Sequence, residues 1–319
     1  MTTRPAISIV TIAWRNEQFA PGFVSSLARA WAVSGEAGPE LVVVANGPQG
    51  EQAAAAAGRV AGDEGVPVSV LRVDTNTGFS GGANAGVGRA SGDVIVVANL
   101  DLTFDERFLE VLGREAAGTD PSWDLLAPRV TQGDHHVEAG VSHRTRSHRL
   151  AWTAPAPERA GPVGAGNGAC IVLRRSALER RQAAAGALFD PECHSFNEDI
   201  DLFWWADRAG LVVRYVPDLW VDHALAGSFG GDHRFVARPI EVQRRVMANY
   251  RVTVWKNALG LVDWLGWPAG EAAYLAQIVR SRGLAGVGAY AASWRDAIET
   301  GRGIRSRRGR LRPAPSRSR

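Results

Sequence analysis

The stretch DVIVVANLDL (93–102) is an unbroken run of Val94, Ile95, Val96, Val97 and Ala98 that ends on Asn99 and Asp101. A run with no polar alternation reads as a strand buried on both faces, the pattern of a parallel sheet covered by helices. In such sheets ligands bind outside the carboxyl ends of the strands. Asp101 stands at that end. A carboxylate there can hold a divalent cation on phosphate oxygens, because hard cations take oxygen ligands. A turn or helix-cap role would equally place an aspartate there.

The same signal recurs upstream. ISIVTIAW (7–14), ELVVVANG (40–47) and VSVLRVD (68–74) read as strands, and PGFVSSLARAWAV (21–33), EQAAAAAGRVAGDEG (51–65) and DERFLEVLGREAA (105–117) as helices. Alternating β and α elements give an α/β fold with a mostly parallel sheet. The strand ends are then Ala13-Trp14-Arg15, Ala45-Asn46-Gly47, Asp74–Asn76 and Asn99–Asp101. SGGANAGVGRAS (80–91) reads as a loop entering a helix, whose glycines admit a close ligand and whose N-terminus favours an anion. Its glycines miss the GxGxxG spacing and follow the third strand, which argues against a dinucleotide-dependent oxidoreductase.

Further on, GNGACIVLRRSAL (166–178) restores a strand and a helix start, and LVVRYVPDLWVDH (211–223) is another strand. FNEDIDLFWWADRAG (196–210) reads as a helix ending at Gly210 that opens with Glu198, Asp199 and Asp201. Carboxylates suit a helix N-terminus. Asp199 and Asp201 point in different directions, so one can enter a cleft while Asp201 anchors the helix. Phe203, Trp204 and Trp205 pack beneath. His135, His136, His143 and His148 lack a zinc spacing and read as a polar loop.

The chain has 319 residues, 45% hydrophobic and 22% charged, which suits a soluble globular chain of one large domain or of a domain with an appendage. Cys170 and Cys193 make no disulfide framework, so a reduced cytoplasmic setting is expected. The first residues carry too short an apolar run for a signal peptide. NALGLVDWLGWPAGEAAYLAQIV (257–279) is broken by Asp263, Pro268 and Glu271, so it does not span a membrane. It can lie on a membrane surface through Trp255, Trp264 and Trp267, or form a lid on the main domain. The segment 301–319 is arginine-rich without an acid and is expected to be disordered, able to touch anionic lipid. Lys256 is the sole lysine, so arginine use is general. Nucleic-acid binding would rest on that tail alone and is set aside.

The order of motifs adds more than any one of them. SIVTIAWRNE, LVVVANG, NTGFSGGANAGVGRASGD, VVANLDLTF, GNGACIVLRRSAL, LFDPECHSFNEDIDLFWWADRAG and VPDLWVDH follow one another over roughly residues 6–230. This series resembles the family 2 glycosyltransferases of the GT-A fold, and within them the bacterial rhamnosyltransferase-like and galactofuranosyltransferase-like branch. ANYRVTVWKNA (248–258) is similar to the helical segment that follows the catalytic domain there. The resemblance implies a GT-A domain over 1–235, a helical segment over 236–300 and the tail after it.

It also implies the chemistry. NLD stands where the family has DxD, so Asp101, with Asn99 beside it, would hold Mg²⁺ or Mn²⁺ on the donor diphosphate. His223 matches the later metal-contacting histidine. Asp199 matches the general base, and Glu198 would orient the acceptor. Gly166 and Asn167 would shape the acceptor side, and the aromatics Phe196, Phe203, Trp204 and Trp205 would form the helix's packing face and a sugar-stacking platform. Ala13, Arg15, Asn46, Asn76, Gly78 and Asn84 would bind the nucleotide-sugar. The implied reaction is a single inverting displacement from a UDP- or dTDP-sugar, rhamnosyl-like, onto a cell-envelope or lipid-linked glycan. It would run in the cytoplasm, with peripheral membrane contact through the helical segment and tail. One departure is Ala45, where the family often has an aspartate; it motivates the alternative of a catalytically silent glycan- or partner-binding module.

Overall fold

The structure, a computed structural model, describes residues 5–35, 38–118, 123–131, 137–138, 142–144, 150–152, 158–224, 235–257 and 261–311. The strands are β1 (Ile7–Ala13), β2 (Glu40–Asn46), β3 (Val68–Val73), β4 (Val94–Asn99), β5 (Leu102–Phe104), β6 (Leu125–Thr131), β7 (Val137–Glu138), β8 (Ser142–Arg144), β9 (Leu150–Trp152), β10 (Gly161–Pro162), β11 (Cys170–Arg174) and β12 (Val213–His223). The helices are α1 (Ala20–Ser34), α2 (Glu51–Asp63), α3 (Gly78–Arg89), α4 (Phe108–Ala117), α5 (Arg175–Ala185), α6 (Glu198–Arg208), α7 (Ile240–Asn257), α8 (Leu261–Arg282) and α9 (Leu284–Leu311).

Among the described residues one sheet runs β10-β12-β6-β11-β4-β1-β2-β3. β1, β2, β3 and β4 pair in parallel, as the apolar runs require. β11 lies antiparallel between β4 and β6. Successive residues of β1 feed opposite faces: Ile9 and Ala13 meet α1 and α2, whereas Val10 and Ile12 meet α3. The glycines of α3 serve that second contact. A Cβ on Gly86 would lie 2.3 Å from Val10 Cγ1, and one on Gly82 would lie 2.9 Å from Ile12 Cγ2. What the sequence presents as a glycine loop is therefore helix from Gly78 onward, with glycine chosen for close packing on β1 and β2.

The C-terminal helices pack against α6. Ile200 and Trp204 meet Tyr250 and Val254 of α7, and Cys193 meets Ala248, Ala297 and Ile304. Both cysteines are free and buried. Residues 301–311, expected to be disordered, instead continue α9. Tertiary contacts override composition here: Ile304 is buried, and Arg307 bonds Asp190 and Glu192. No described helix is long and apolar enough to cross a membrane. The histidine-rich stretch, with His135, His136, His143 and His148, falls outside the residues whose side chains are described.

Candidate active site

A cavity of about 630 Å³ opens at the carboxyl ends of β1, β2 and β4. Asn46, Asn76 and Gly78 line one side of it; Asn99, Asp101 and His223 line its floor. Asn167, Glu198 and Asp199 close another side.

Strand pairing explains the floor. β5 turns back antiparallel onto the end of β12, which sets His223 opposite Leu102 and therefore beside Asp101. His223 Nε2 lies 3.1 Å from Asp101 Oδ1, and the Ala224 amide donates to the Asp101 carbonyl at 3.0 Å. Among the described residues no third His, Cys, Asp or Glu completes a protein cage there. Two protein ligands suffice for a cation shared with substrate phosphate and water.

The side made by β2 and the β3–α3 connection is built from amide bonds. Buried Asn46 donates to the Gly78 carbonyl at 2.9 Å and accepts from the Thr77 amide and hydroxyl, each at 3.0 Å. Gly78 has φ +71°, and a Cβ there would sit 2.2 Å from the His194 carbonyl oxygen, so only glycine fits. The Phe79 and Ser80 amides donate to Ser195 Oγ and the His194 carbonyl. The first turn of α3 is thus capped by the chain, and its expected role as an anion site is replaced by this cap.

The acid side rests on a strained loop. His194, Phe196 and Asn197 all have positive φ, at 59°, 74° and 64°. Left-handed non-glycine residues cost of order 1–3 kcal/mol each and need outside support. Asn249 of α7 supplies it, donating to the carbonyls of Cys193, Ser195 and Phe196 at 2.8–2.9 Å. Asn197 in turn donates to the Val246 carbonyl at 3.0 Å.

Asp199 sits where a Cβ on Gly168 would come within 2.4 Å of its Oδ2. Gly168 belongs to the same GNGAC motif as Gly166 and Asn167, yet it is the glycine that admits the carboxylate. Burial raises the Asp199 pKa, opposed by the backbone amides of Ile200 and Gly168. Burial, then the neighbouring Asp199, pushes Glu198 up to about 8. Asp201 turns the other way, into a buried cluster. Burial opposes its charge, but Lys256 and Arg181 outweigh that and hold its carboxyl well below the usual range. Arg181 donates to it at 2.6 Å and Asn257 at 2.8 Å; Lys256 bridges it to Asp190, which Arg307 also meets.

Four expected residues lie elsewhere. Ala13 is fully buried in the core against α1 and α2, because its side chain points beneath the sheet. Arg15 is exposed, with φ +52° and its guanidinium over Trp14; Trp14 and Asn16 line the cavity instead. Asn84 is a strut, exchanging two hydrogen bonds with the Phe189 backbone at 2.8 and 3.0 Å. Gly166 gives room for packing, since a Cβ there would meet Ala127 at 2.9 Å and Phe203 at 3.0 Å. Ala45 also faces the core; Asn46 is the cavity residue of that strand end. Phe203, Trp204 and Trp205 are buried, so no stacking platform comes from them; Phe196 lines the cavity. Sequence reasoning missed Arg238, Val242, Arg245 and Val246, cavity residues from the C-terminal segment whose signal was only their helical spacing.

Several polar atoms around the cavity are buried without a partner among the described residues: Trp14 Nε1, Glu198 Oε2, His223 Nδ1 and Arg238 Nε. Buried polar atoms are rarely left unpaired, so their gathering here marks a ligand site.

The sequence matches the family model described as "Glycosyl transferase family 2" over residues 8–181, more than half of the chain. A search of curated proteins gives no match. Solved structures match at low identity. S. aureus TarS 1–349 in complex with UDP-GlcNAc has a TM-score of 0.57 at 13% identity, covering 95% of this chain and 92% of that one. The mannosyltransferase PcManGT from Pyrobaculum calidifontis, in complex with GDP-Man and Mn²⁺, has a TM-score of 0.54 at 16% identity, covering 97% and 85%. GalNAc-T7 with UDP, GalNAc and Mn²⁺ has a TM-score of 0.54 at 15% identity, covering 80% and 48%. At these identities the likeness is one of fold.

Proposed function

The chain belongs to glycosyl transferase family 2 and is a glycosyltransferase; from that premise we propose that it moves a sugar from a nucleoside-diphosphate donor to an acceptor hydroxyl by one in-line displacement with inversion. The observation that carries this is the meeting of Asp101–His223 and Glu198–Asp199 in one cavity.

Asp101 and His223 fit a divalent cation, Mg²⁺ or Mn²⁺. They would offer it a carboxylate oxygen and a ring nitrogen 3.1 Å apart, donor types that divalent cations take. When bound, the cation neutralises charge on the departing diphosphate. Asp199 takes the acceptor proton. A carboxyl raised by burial toward the working pH is a better base than an exposed one. Glu198, pushed up to about 8, holds its proton at neutral pH and donates it in a hydrogen bond to a substrate oxygen. Asn46 and Asn76 shape the nucleotide side, and Asn167 the acceptor side.

The motif order supports a UDP- or dTDP-activated, rhamnosyl-like donor and a cell-envelope or lipid-linked acceptor. The surface of α8 and α9 supports peripheral contact with the cytoplasmic face of a membrane. Leu265 and Leu284 are 71% and 91% exposed there, and Arg280, Arg302 and Arg305 are exposed on the same two helices. The test is release of nucleoside diphosphate from UDP- and dTDP-sugars with Mn²⁺ and hydroxyl acceptors. The wild type should turn over, and Asp199→Asn should not while still binding the diphosphate. Near-normal turnover by Asp199→Asn would remove the base assignment.

A further inference from the structure

The cavity carries two arginines that the transfer chemistry above does not use. Arg238 lies just ahead of α7 and Arg245 within it; with Val242 and Val246 they form one stripe at helical spacing on the cavity wall. Both lie beyond the residues matched by the family model. Among the described residues neither guanidinium meets a carboxylate. Arg238 stacks over the Phe196 ring at 5.2 Å, and its Nε is buried without a partner. Arg245 Nη1 lies 3.2 Å from His194 Nδ1; burial and Arg245 hold that imidazole below its usual pKa, so it is a neutral acceptor.

Arg238 is half-buried with no counter-charge, which is costly unless a ligand supplies the anion, while Arg245 is exposed on the same cavity wall. The α3 N-terminus cannot share that task, because its Phe79 and Ser80 amides are spent on Ser195 and His194. Guanidinium groups offer paired donors that match phosphate oxygens. We propose that Arg238 and Arg245 form a phosphate-binding wall of the cavity, which takes a phosphate group of a substrate independently of the cation at Asp101 and His223. That group is either the diphosphate of the donor or a phosphate carried by the acceptor. The proposal rests on the transferase reading for the identity of the substrate, not for the anion chemistry.

The experiment is calorimetric titration of inorganic pyrophosphate into the full chain in EDTA, comparing wild type with R238Q/R245Q. The wild type should bind without metal, and the double variant should lose affinity by about tenfold or more, the scale of one lost charge-assisted hydrogen bond. Equal binding by the two proteins, or none by the wild type, would overturn the proposal. Arg282 bonds Arg238 through its backbone carbonyl, which glutamine retains. Thermal melting checks the fold, and R238Q and R245Q singly replace the double variant if it melts early.

A second titration, of UDP, dTDP or GDP with Mn²⁺, separates the two sources. Competition with pyrophosphate, together with weaker diphosphate but unchanged nucleoside binding in the variant, assigns the wall to the donor. Simultaneous binding of pyrophosphate and nucleoside diphosphate assigns it to the acceptor. If no nucleoside diphosphate binds the wild type, the transferase reading fails, while the metal-free pyrophosphate result still decides the arginine wall.

Discussion

The two sides of the cavity are held by different forces. The β1, β2 and β4 side is parallel backbone pairing over apolar residues such as Ile9, Val43 and Val96. The α6–α7 side is a strained loop and buried charge: Asn249 holds His194–Asn197, while Lys256 and Arg307 hold Asp190 and Asp201. Dispersion and apolar burial are shared over many atoms and tolerate small losses. A buried ion cluster concentrates its support in single partners, and losing one costs about 3–5 kcal/mol. The acid that does the proposed chemistry thus sits on the brittle side.

The largest expected effect is on turnover. Asp199→Asn should lower kcat by about 10²–10⁴-fold, the usual contribution of a general base, with nucleotide affinity retained. Steady-state rates beside binding titrations check this, and equal losses in both would point to misfolding instead.

The sharpest break of the comparison is Lys256→Met against Ile9→Val. The first leaves Asp190 and Asp201 short of a cation and should cost about 3–5 kcal/mol; the second should cost about 0.5–1.5 kcal/mol. Urea denaturation measures both, and similar values would remove the contrast. Asn249→Ala comes next. It strips the donor from three loop carbonyls and should cost about 1–3 kcal/mol, with a fall in kcat because the loop leads directly into Asp199.

The smallest effect is in pH dependence. Folding raises Glu198 from 4.5 to about 8, so its contribution favours the folded state below the ordinary carboxyl range and is lost as pH rises toward 8. Asp201 has the opposite sign: its stabilisation is present at neutral pH and is lost in acid. Glu198→Gln should therefore flatten the decline of stability between pH 5 and about 8 while leaving the acid limb in place. An unchanged slope would show that Glu198 is not protonated on folding.

The sheet and its strand ends were legible because periodicity reports apolar packing, and β1, β2 and β4 are packed that way. The meeting of Asp101 with His223 and the entry of Asp199 into the cleft were implied by the family resemblance that the motif order carries. Periodicity is blind to pairs made across the chain. Asn84 looks like a ligand until its bonds to Phe189 are seen, and Arg307 looks like a disordered tail until Asp190 is placed beside it. Ala13 and Arg15 were misplaced for a simpler reason: at a strand end, one residue of offset decides which side of the sheet a side chain faces.

The most direct test is calorimetric binding of UDP, dTDP and GDP, each with and without Mn²⁺, to the wild type and to Asp101→Ala. One diphosphate should bind the wild type more tightly with Mn²⁺ than without it, and Asp101→Ala should lose that gain. Binding that ignores the metal in both proteins, or no binding by folded wild type, would contradict a metal-dependent sugar-nucleotide site in this cavity.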